Sequence, residues 1–105
     1  MNVLITGAGG FLGSHIALQL LDAGHVVRGF SRGTYPTLEA LGVNWVQGDL
    51  RKQRDVSKAC EGMDAVIHTA AVPGIWGSWK MYYGINTLGT ANIIRAVQQH
   101  DIPYL

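Results

Sequence analysis

Gly7, Gly10 and Gly13 follow one another at three-residue spacing, directly after the apolar run Val3-Leu4-Ile5 and directly before a stretch with helical apolar periodicity. Strand, glycine turn and helix together can hold a phosphate at a helix N-terminus, where backbone N–H groups lack partners and the helix dipole favours negative charge. Gly7 lets the chain turn sharply out of the strand. Gly10, without a side chain, lets backbone N–H groups approach phosphate oxygens. Gly13, one turn into the helix, lets that helix pack close to the first strand. Phe11 and Leu12, at the helix start, belong to the same candidate site. The spacing is Gly-x-x-Gly-x-x-Gly; the commoner Gly-x-Gly-x-x-Gly fails because Leu12 stands where its third glycine belongs. A bare glycine triplet is weak evidence and an ordinary tight turn is the alternative, but the strand before and the amphipathic helix after supply the context a dinucleotide pyrophosphate site requires.

The residue that ends the second strand, about 20 positions beyond such a turn, separates the two nicotinamide dinucleotides: a carboxylate there binds the ribose 2′-hydroxyl of NAD. This chain has Ser31 followed by Arg32. No carboxylate repels a 2′-phosphate and a guanidinium is present to pair with one, so NADP is favoured over NAD. The alternative makes Arg32 a solvated charge at a loop start. Arg28, on the same strand, is a secondary candidate.

Positioning these residues takes a parallel sheet with crossover helices, because apolar runs alternate with helical patterns along the chain. Strands are expected at about 2–6, 25–31, 43–47 and 64–69, and helices at about 11–23, 36–41, 53–61 and 80–100, from the same periodicity. The first helix carries Phe11, Leu12, Ile16, Leu18, Leu20 and Leu21 as its apolar positions and stops at Gly24, a C-cap. Ile102-Pro103-Tyr104-Leu105 reads as the start of a fifth strand, cut off. The fold class is α/β, a Rossmann-type doubly wound sheet. Right-handed crossovers give the strand order 3-2-1-4, with a crevice between strands one and four at their C-terminal ends.

Composition limits the alternatives. With 105 residues, 48% apolar, 14% charged and a net charge of +1, the chain forms one domain with a substantial core and shows no basic surplus for nucleic acid or an anionic membrane. No stretch approaches transmembrane length and no signal peptide is visible, so a cytoplasmic setting is the expectation. Cys60 is the sole cysteine and is expected as a small core residue on a helix.

Ordered motifs add a resemblance. Thr6-Gly7-Ala8-Gly9-Gly10-Phe11-Leu12-Gly13, Gly48-Asp49-Leu50, His68-Thr69-Ala70-Ala71 and Asn86-Thr87-Leu88-Gly89-Thr90-Ala91-Asn92 together resemble the extended short-chain dehydrogenase/reductase superfamily. That group includes the NAD-dependent epimerase/dehydratases and the 3β-hydroxysteroid dehydrogenase-like enzymes, and the latter branch is the more similar. The resemblance implies that Asp49 and the Leu50 backbone contact adenine, a carboxylate being able to accept from its exocyclic amine. Asp49 as an N-cap or turn residue is the other reading. It implies that Ala70 and Ala71 let the ribose and nicotinamide approach, and that Asn86 helps organise an active site. His68 is expected as a packed strand residue rather than an acid or base.

Pro73-Gly74-Ile75-Trp76-Gly77-Ser78-Trp79 either lines an apolar substrate cleft or caps the core. With Lys80-Met81-Tyr82-Tyr83 it is similar to the steroid dehydrogenase-like branch and to reductases of long-chain 3-keto acids. The superfamily's proton carrier, a Tyr with a Lys four residues on, is absent: Glu39, Asn86 and Thr87 follow Tyr35, Tyr82 and Tyr83 at that distance, and Tyr104 is next to last. The chain is therefore expected to be the N-terminal cofactor-binding portion of an oxidoreductase acting on a hydroxyl or ketone of a bulky apolar substrate. A nucleotide-sugar epimerase or dehydratase, and a non-catalytic dinucleotide-binding module, are the alternatives. An apolar edge on strand four, left without a fifth strand, is expected to promote self-association.

Overall fold

The computed structural model describes residues 1–69 and 87–105. Its core is a parallel sheet of β1 (Asn2–Thr6), β2 (Val26–Ser31), β3 (Asn44–Gln47) and β4 (Ala65–His68) in the order β3-β2-β1-β4. This is the expected doubly wound arrangement, reversing direction between β1 and β4. Register aligns Thr6 with Phe30 and His68, and Ser31 with Gln47, so the carboxyl ends of the strands lie along one rim.

β1 is central and nearly continuous in apolar residues because both of its faces are covered. Val3 and Ile5 pack with Val27, Ala17, Leu38 and Val43 on the side of α1 (Phe11–Asp22) and α2 (Pro36–Ala40). Leu4 packs with Phe30, Val56, Cys60, Val66, Ile93 and Ala96 on the side of α3 (Gln53–Cys60) and α4 (Gly89–Gln99). Period-two alternation thus sends successive residues of one strand into two separate cores. Cys60 is buried on α3 as expected, and burial pushes its thiol up to about 11, which leaves it inert at neutral pH.

The first helix departs from its expected face. Phe11, Leu12 and Leu18 are exposed, while Gly13 and Ala17, one turn apart, form the buried contact with Ile16, Leu20 and Leu21 partly covered beside them. Small residues win this face because they let the helix axis approach the sheet, and the larger side chains flank the contact. Within the described residues the last helix spans Gly89–Gln99, and residues 80–86 of the expected 80–100 span lie outside them. Tyr104 pairs in parallel with Ala65, and the Val66 N–H donates to the Tyr104 carbonyl at 3.0 Å. The β4 edge is therefore partly covered at this point rather than bare.

Two helix ends show how the chain stops. After α1 the His25 N–H reaches back to the Leu20 carbonyl and the Gly24 N–H to Leu21, both at 3.0 Å, with Gly24 at φ 89°. α4 ends with the same bonding, Ile102 to Val97 and Asp101 to Gln98, but the left-handed position at φ 52° holds Asp101. A Cβ is disfavoured there. Asp101→Gly is expected to stabilise the fold by about 0.5–1 kcal/mol, read as a raised midpoint in urea denaturation.

Candidate functional site

The rim at the carboxyl ends of the strands gathers the glycine turn, the loop after β2 and the loop after β3. Gly7 leaves β1 at φ 75°, a conformation that L side chains rarely adopt. The Gly10 N–H then closes on the Gly7 carbonyl at 2.9 Å, and the Ser14 N–H takes the Gly10 carbonyl at 2.9 Å as the first bond of α1. Gly10 is the N-cap and brings no side-chain acceptor, and the first turn of α1 contains no acidic residue. Helix geometry therefore leaves the N–H groups of Phe11, Leu12 and Gly13 without intrahelical partners, at the positive end of the helix.

Gly13 permits this compact turn. A Cβ on it would overlap the Gly7 carbonyl oxygen and stand 2.9 Å from Thr69 Oγ1. Its close approach is thus to the turn carbonyl and the residue after β4. Thr69 Oγ1 in turn donates to the Thr6 carbonyl at 2.6 Å, joining the ends of β1 and β4. Phe11 is 84% and Leu12 62% exposed, so what they bring to the rim is backbone N–H rather than core packing. The Phe11 ring meets the His15 ring edge-on, with centroids 4.6 Å apart.

Ser31 ends β2 and its hydroxyl donates to the Gly33 carbonyl at 2.8 Å. Arg32 is exposed and its guanidinium makes no hydrogen bond or ion pair among the described residues. Arg28, the secondary candidate, is committed elsewhere: its Nη1 donates to the carbonyls of Ala59 and Glu61 at 2.8 and 2.9 Å, closing the C-terminus of α3. Its mid-strand position turns it toward that helix and away from the rim.

Asp49 is a turn residue; the N-cap of α3 is Lys52. Its Oδ1 accepts from the Arg51 N–H at 2.9 Å and from Arg51 Nε at 3.0 Å, and its Oδ2 accepts from Arg51 Nη2 at 2.8 Å. The Arg51 guanidinium beside Asp49 holds its carboxyl below the ordinary range, and the charge of Arg32 acts in the same direction. Arg32 and Asp49 therefore share one field across the β2 and β3 ends. The Leu50 side chain is buried, and its carbonyl accepts from Asn92 Nδ2 at 2.8 Å. Asn92 is a buried polar group on α4 to which the motif reading gave no role. Its signal was a polar residue on the helix face that also carries Ile93 and Ala96.

His68 is half-buried. Nδ1 is hydrogen-bonded to Thr6 Oγ1 at 2.6 Å and Nε2 to Thr90 Oγ1 at 3.1 Å. Burial lowers its pKa, favouring a neutral ring with one donor and one acceptor nitrogen, which suits a bridge between two hydroxyls. It ties β1 and β4 to α4. Ala70, Ala71, Asn86, the 73–79 segment and the 80–83 segment lie outside the described residues. Among the described residues no cluster suits a metal ion, and no helix is long and apolar enough to cross a membrane.

A parallel sheet in the order β3-β2-β1-β4, with a glycine turn opening a helix beside its switch point, is the Rossmann class of dinucleotide-binding fold. Residues 3–105 match the NAD dependent epimerase/dehydratase family, and the chain belongs to it. It is 43% identical over 97% of its length to a 2-alkyl-3-oxoalkanoate reductase of Stenotrophomonas maltophilia, covering 31% of that protein. It is 35% identical over 96% of its length to a 3-beta-hydroxysteroid dehydrogenase of Mycolicibacterium neoaurum, covering 30% of it. Among solved structures, the UDP-glucose 4-epimerase of Thermus thermophilus in complex with NAD superposes with a TM-score of 0.84 at 30% identity, over 97% of this chain and 35% of that one. The chain thus spans about a third of the length of the relatives it matches.

Proposed function

We propose that this chain is the dinucleotide-binding part of an NADP-preferring oxidoreductase acting on a hydroxyl or ketone of a bulky apolar substrate. One observation carries the reading: an uncapped, glycine-lined helix N-terminus beside the sheet's switch point, flanked by an Arg32 that has no partner among the described residues, where an NAD site has a carboxylate. The donor set suits the group. The N–H groups of Phe11, Leu12 and Gly13 take pyrophosphate oxygens, Gly10 keeps their approach open, and Arg32 pairs with the 2′-phosphate while Ser31 adds no charge against it. Asp49 and the Leu50 backbone border adenine, with Arg51 using most of the acceptor capacity of Asp49. Ala70, Ala71 and Asn86 belong to the nicotinamide side in this reading.

When bound, the nicotinamide supplies the hydride donor or acceptor. The 105 residues contain no Tyr-x-x-x-Lys, so their work is to bind and orient rather than to move the substrate proton. The names of the similar reductase and steroid dehydrogenase support a hydroxyl or ketone on an apolar frame. The likeness to an NAD-bound epimerase favours a nucleotide-sugar enzyme as the second reading, and Ser31 weighs against it.

Titration of the folded chain with NADPH and NADH, with Arg32→Ala in parallel, tests the assignment. NADPH is expected to bind more tightly. Loss of a charge-assisted pair, worth about 1.5–3 kcal/mol, is expected to weaken NADPH about 10- to 150-fold in the variant and leave NADH unchanged. Equal affinities that ignore Arg32 would sink the NADP preference and bring the epimerase reading forward.

A further inference from the structure

Gly9 is not among the glycines that the spacing singles out, yet it has a specific neighbour. The space a Cβ would take on Gly9 is filled by the Tyr35 ring, whose Cζ, Cε2 and Cε1 are the nearest atoms, Cε1 at 2.6 Å from that position. The hydroxyl-bearing end of the ring therefore sits on the glycine turn. Tyr35 is the N-cap of α2, and its carbonyl accepts from the N–H groups of Leu38 and Glu39 at 3.0 and 3.1 Å. On its other side the ring lies tilted against Trp45, with centroids 5.0 Å apart. Trp45 itself packs over Gly29, where a Cβ would stand 2.6 Å from the indole.

The loop between β2 and α2 is pinned along its length. Trp45 Nε1 and Ser31 Oγ both donate to the Gly33 carbonyl, at 2.9 and 2.8 Å, and Gln47 Nε2 donates to the Arg32 carbonyl at 2.7 Å. Three side-chain donors on this loop, those of Arg32, Thr34 and Tyr35, have no hydrogen-bond partner among the described residues, and of the three the Tyr35 ring is the one packed on the glycine turn. Tyr35 is 40% exposed, so a packed ring presents an unspent O–H beside a phosphate-binding turn. A tyrosine held this way loses little freedom when it donates to an anion, and an O–H to a phosphate oxygen is a short, charge-assisted bond.

We infer that Tyr35, seated on Gly9, is a specificity-determining residue whose hydroxyl donates to the 2′-phosphate that Arg32 pairs with. This rests on the dinucleotide-binding reading above and deepens it. Gly9 then serves to seat the ring, and the pinned loop carries both 2′-phosphate donors.

Tyr35→Phe keeps the ring and removes only the hydroxyl, so the fold is retained and circular dichroism provides the control. Calorimetric titration with NADPH and NADH is the measurement. Tyr35→Phe is expected to weaken NADPH about tenfold and leave NADH within experimental error of wild type. NADPH affinity unchanged in Tyr35→Phe, with Arg32→Ala still weakening it, overturns the inference and leaves the NADP-preferring reading standing. An equal loss for both dinucleotides overturns it too, because the hydroxyl then contacts a group they share. Wild-type chain that is folded and binds neither dinucleotide overturns the reading and this inference together.

Discussion

Gly13→Ala is expected to be the most damaging single methyl in the chain. Its Cβ would overlap the Gly7 carbonyl oxygen and stand 2.7 Å from the Gly7 carbonyl carbon, and that backbone is already committed to the Gly10 N–H. Neither side can yield as a flexible side chain would: one is the backbone of a tight hydrogen-bonded turn and the other a helix packed through Ala17. Overpacking of this kind costs about 2–3 kcal/mol, and a domain of this size loses roughly 4–8 °C per kcal/mol, so a fall of roughly 10–20 °C in Tm is expected. NADPH binding is expected to disappear with it, because tilting α1 moves the N–H groups that would hold the pyrophosphate. Gly10→Ala is the contrast. Its Cβ would stand 3.3 Å from the Gly7 carbonyl oxygen, tight but bearable, so a small change in Tm with a large loss of binding is expected. Differential scanning calorimetry and NADPH titration separate the two cases. A Gly13→Ala variant with wild-type Tm would mean that the turn is not packed as described.

Asn92→Leu is the second. Nδ2 of Asn92 is the donor that satisfies the Leu50 carbonyl, in a site where the Asn92 residue is 8% exposed and the Leu50 side chain is in the core. Leucine fills similar space and donates nothing. An orphaned buried carbonyl costs about 1–3 kcal/mol, to be read as a lowered urea midpoint with an unchanged slope. The effect reaches the rim because Leu50 follows Asp49 directly: once α4 releases the carbonyl, the Asp49–Arg51 turn is less well held and NADPH affinity is expected to fall as well. An unchanged midpoint would mean that water satisfies the Leu50 carbonyl and that α4 does not position the loop.

The elements and their order were legible because the signals are local. Apolar runs, helical periodicity and the glycine after α1 placed the four strands and the first three helices within a residue or two, and parallel pairing with crossovers then leaves few strand orders. Burial on α1 was harder to read. Periodicity marks apolar residues, but the contact with the sheet went to Gly13 and Ala17, and Phe11 and Leu12 were left exposed at the rim. Residues whose roles were misread or missed act at long range. Arg28 is set by carbonyls 31 and 33 positions away, and Asn92 by one 42 positions away, distances that no local pattern encodes. Tyr35 escaped notice as a site residue for the same reason, since its role depends on an empty Cβ position at Gly9.

In the proposed function the glycine turn and Arg32 hold a nicotinamide dinucleotide. Amide resonances report on it residue by residue: 15N-labelled chain is titrated with NADPH and the shift changes are mapped. The expected result is a saturable set of changes centred on Gly10, Phe11, Leu12 and Gly13, with Arg32 and Leu50 following at the same ligand concentration. Saturable changes confined to the opposite face, along Arg54, Ser57 and Lys58 of α3, or a folded spectrum that NADPH leaves untouched, would mean that the glycine turn and Arg32 do not hold the dinucleotide.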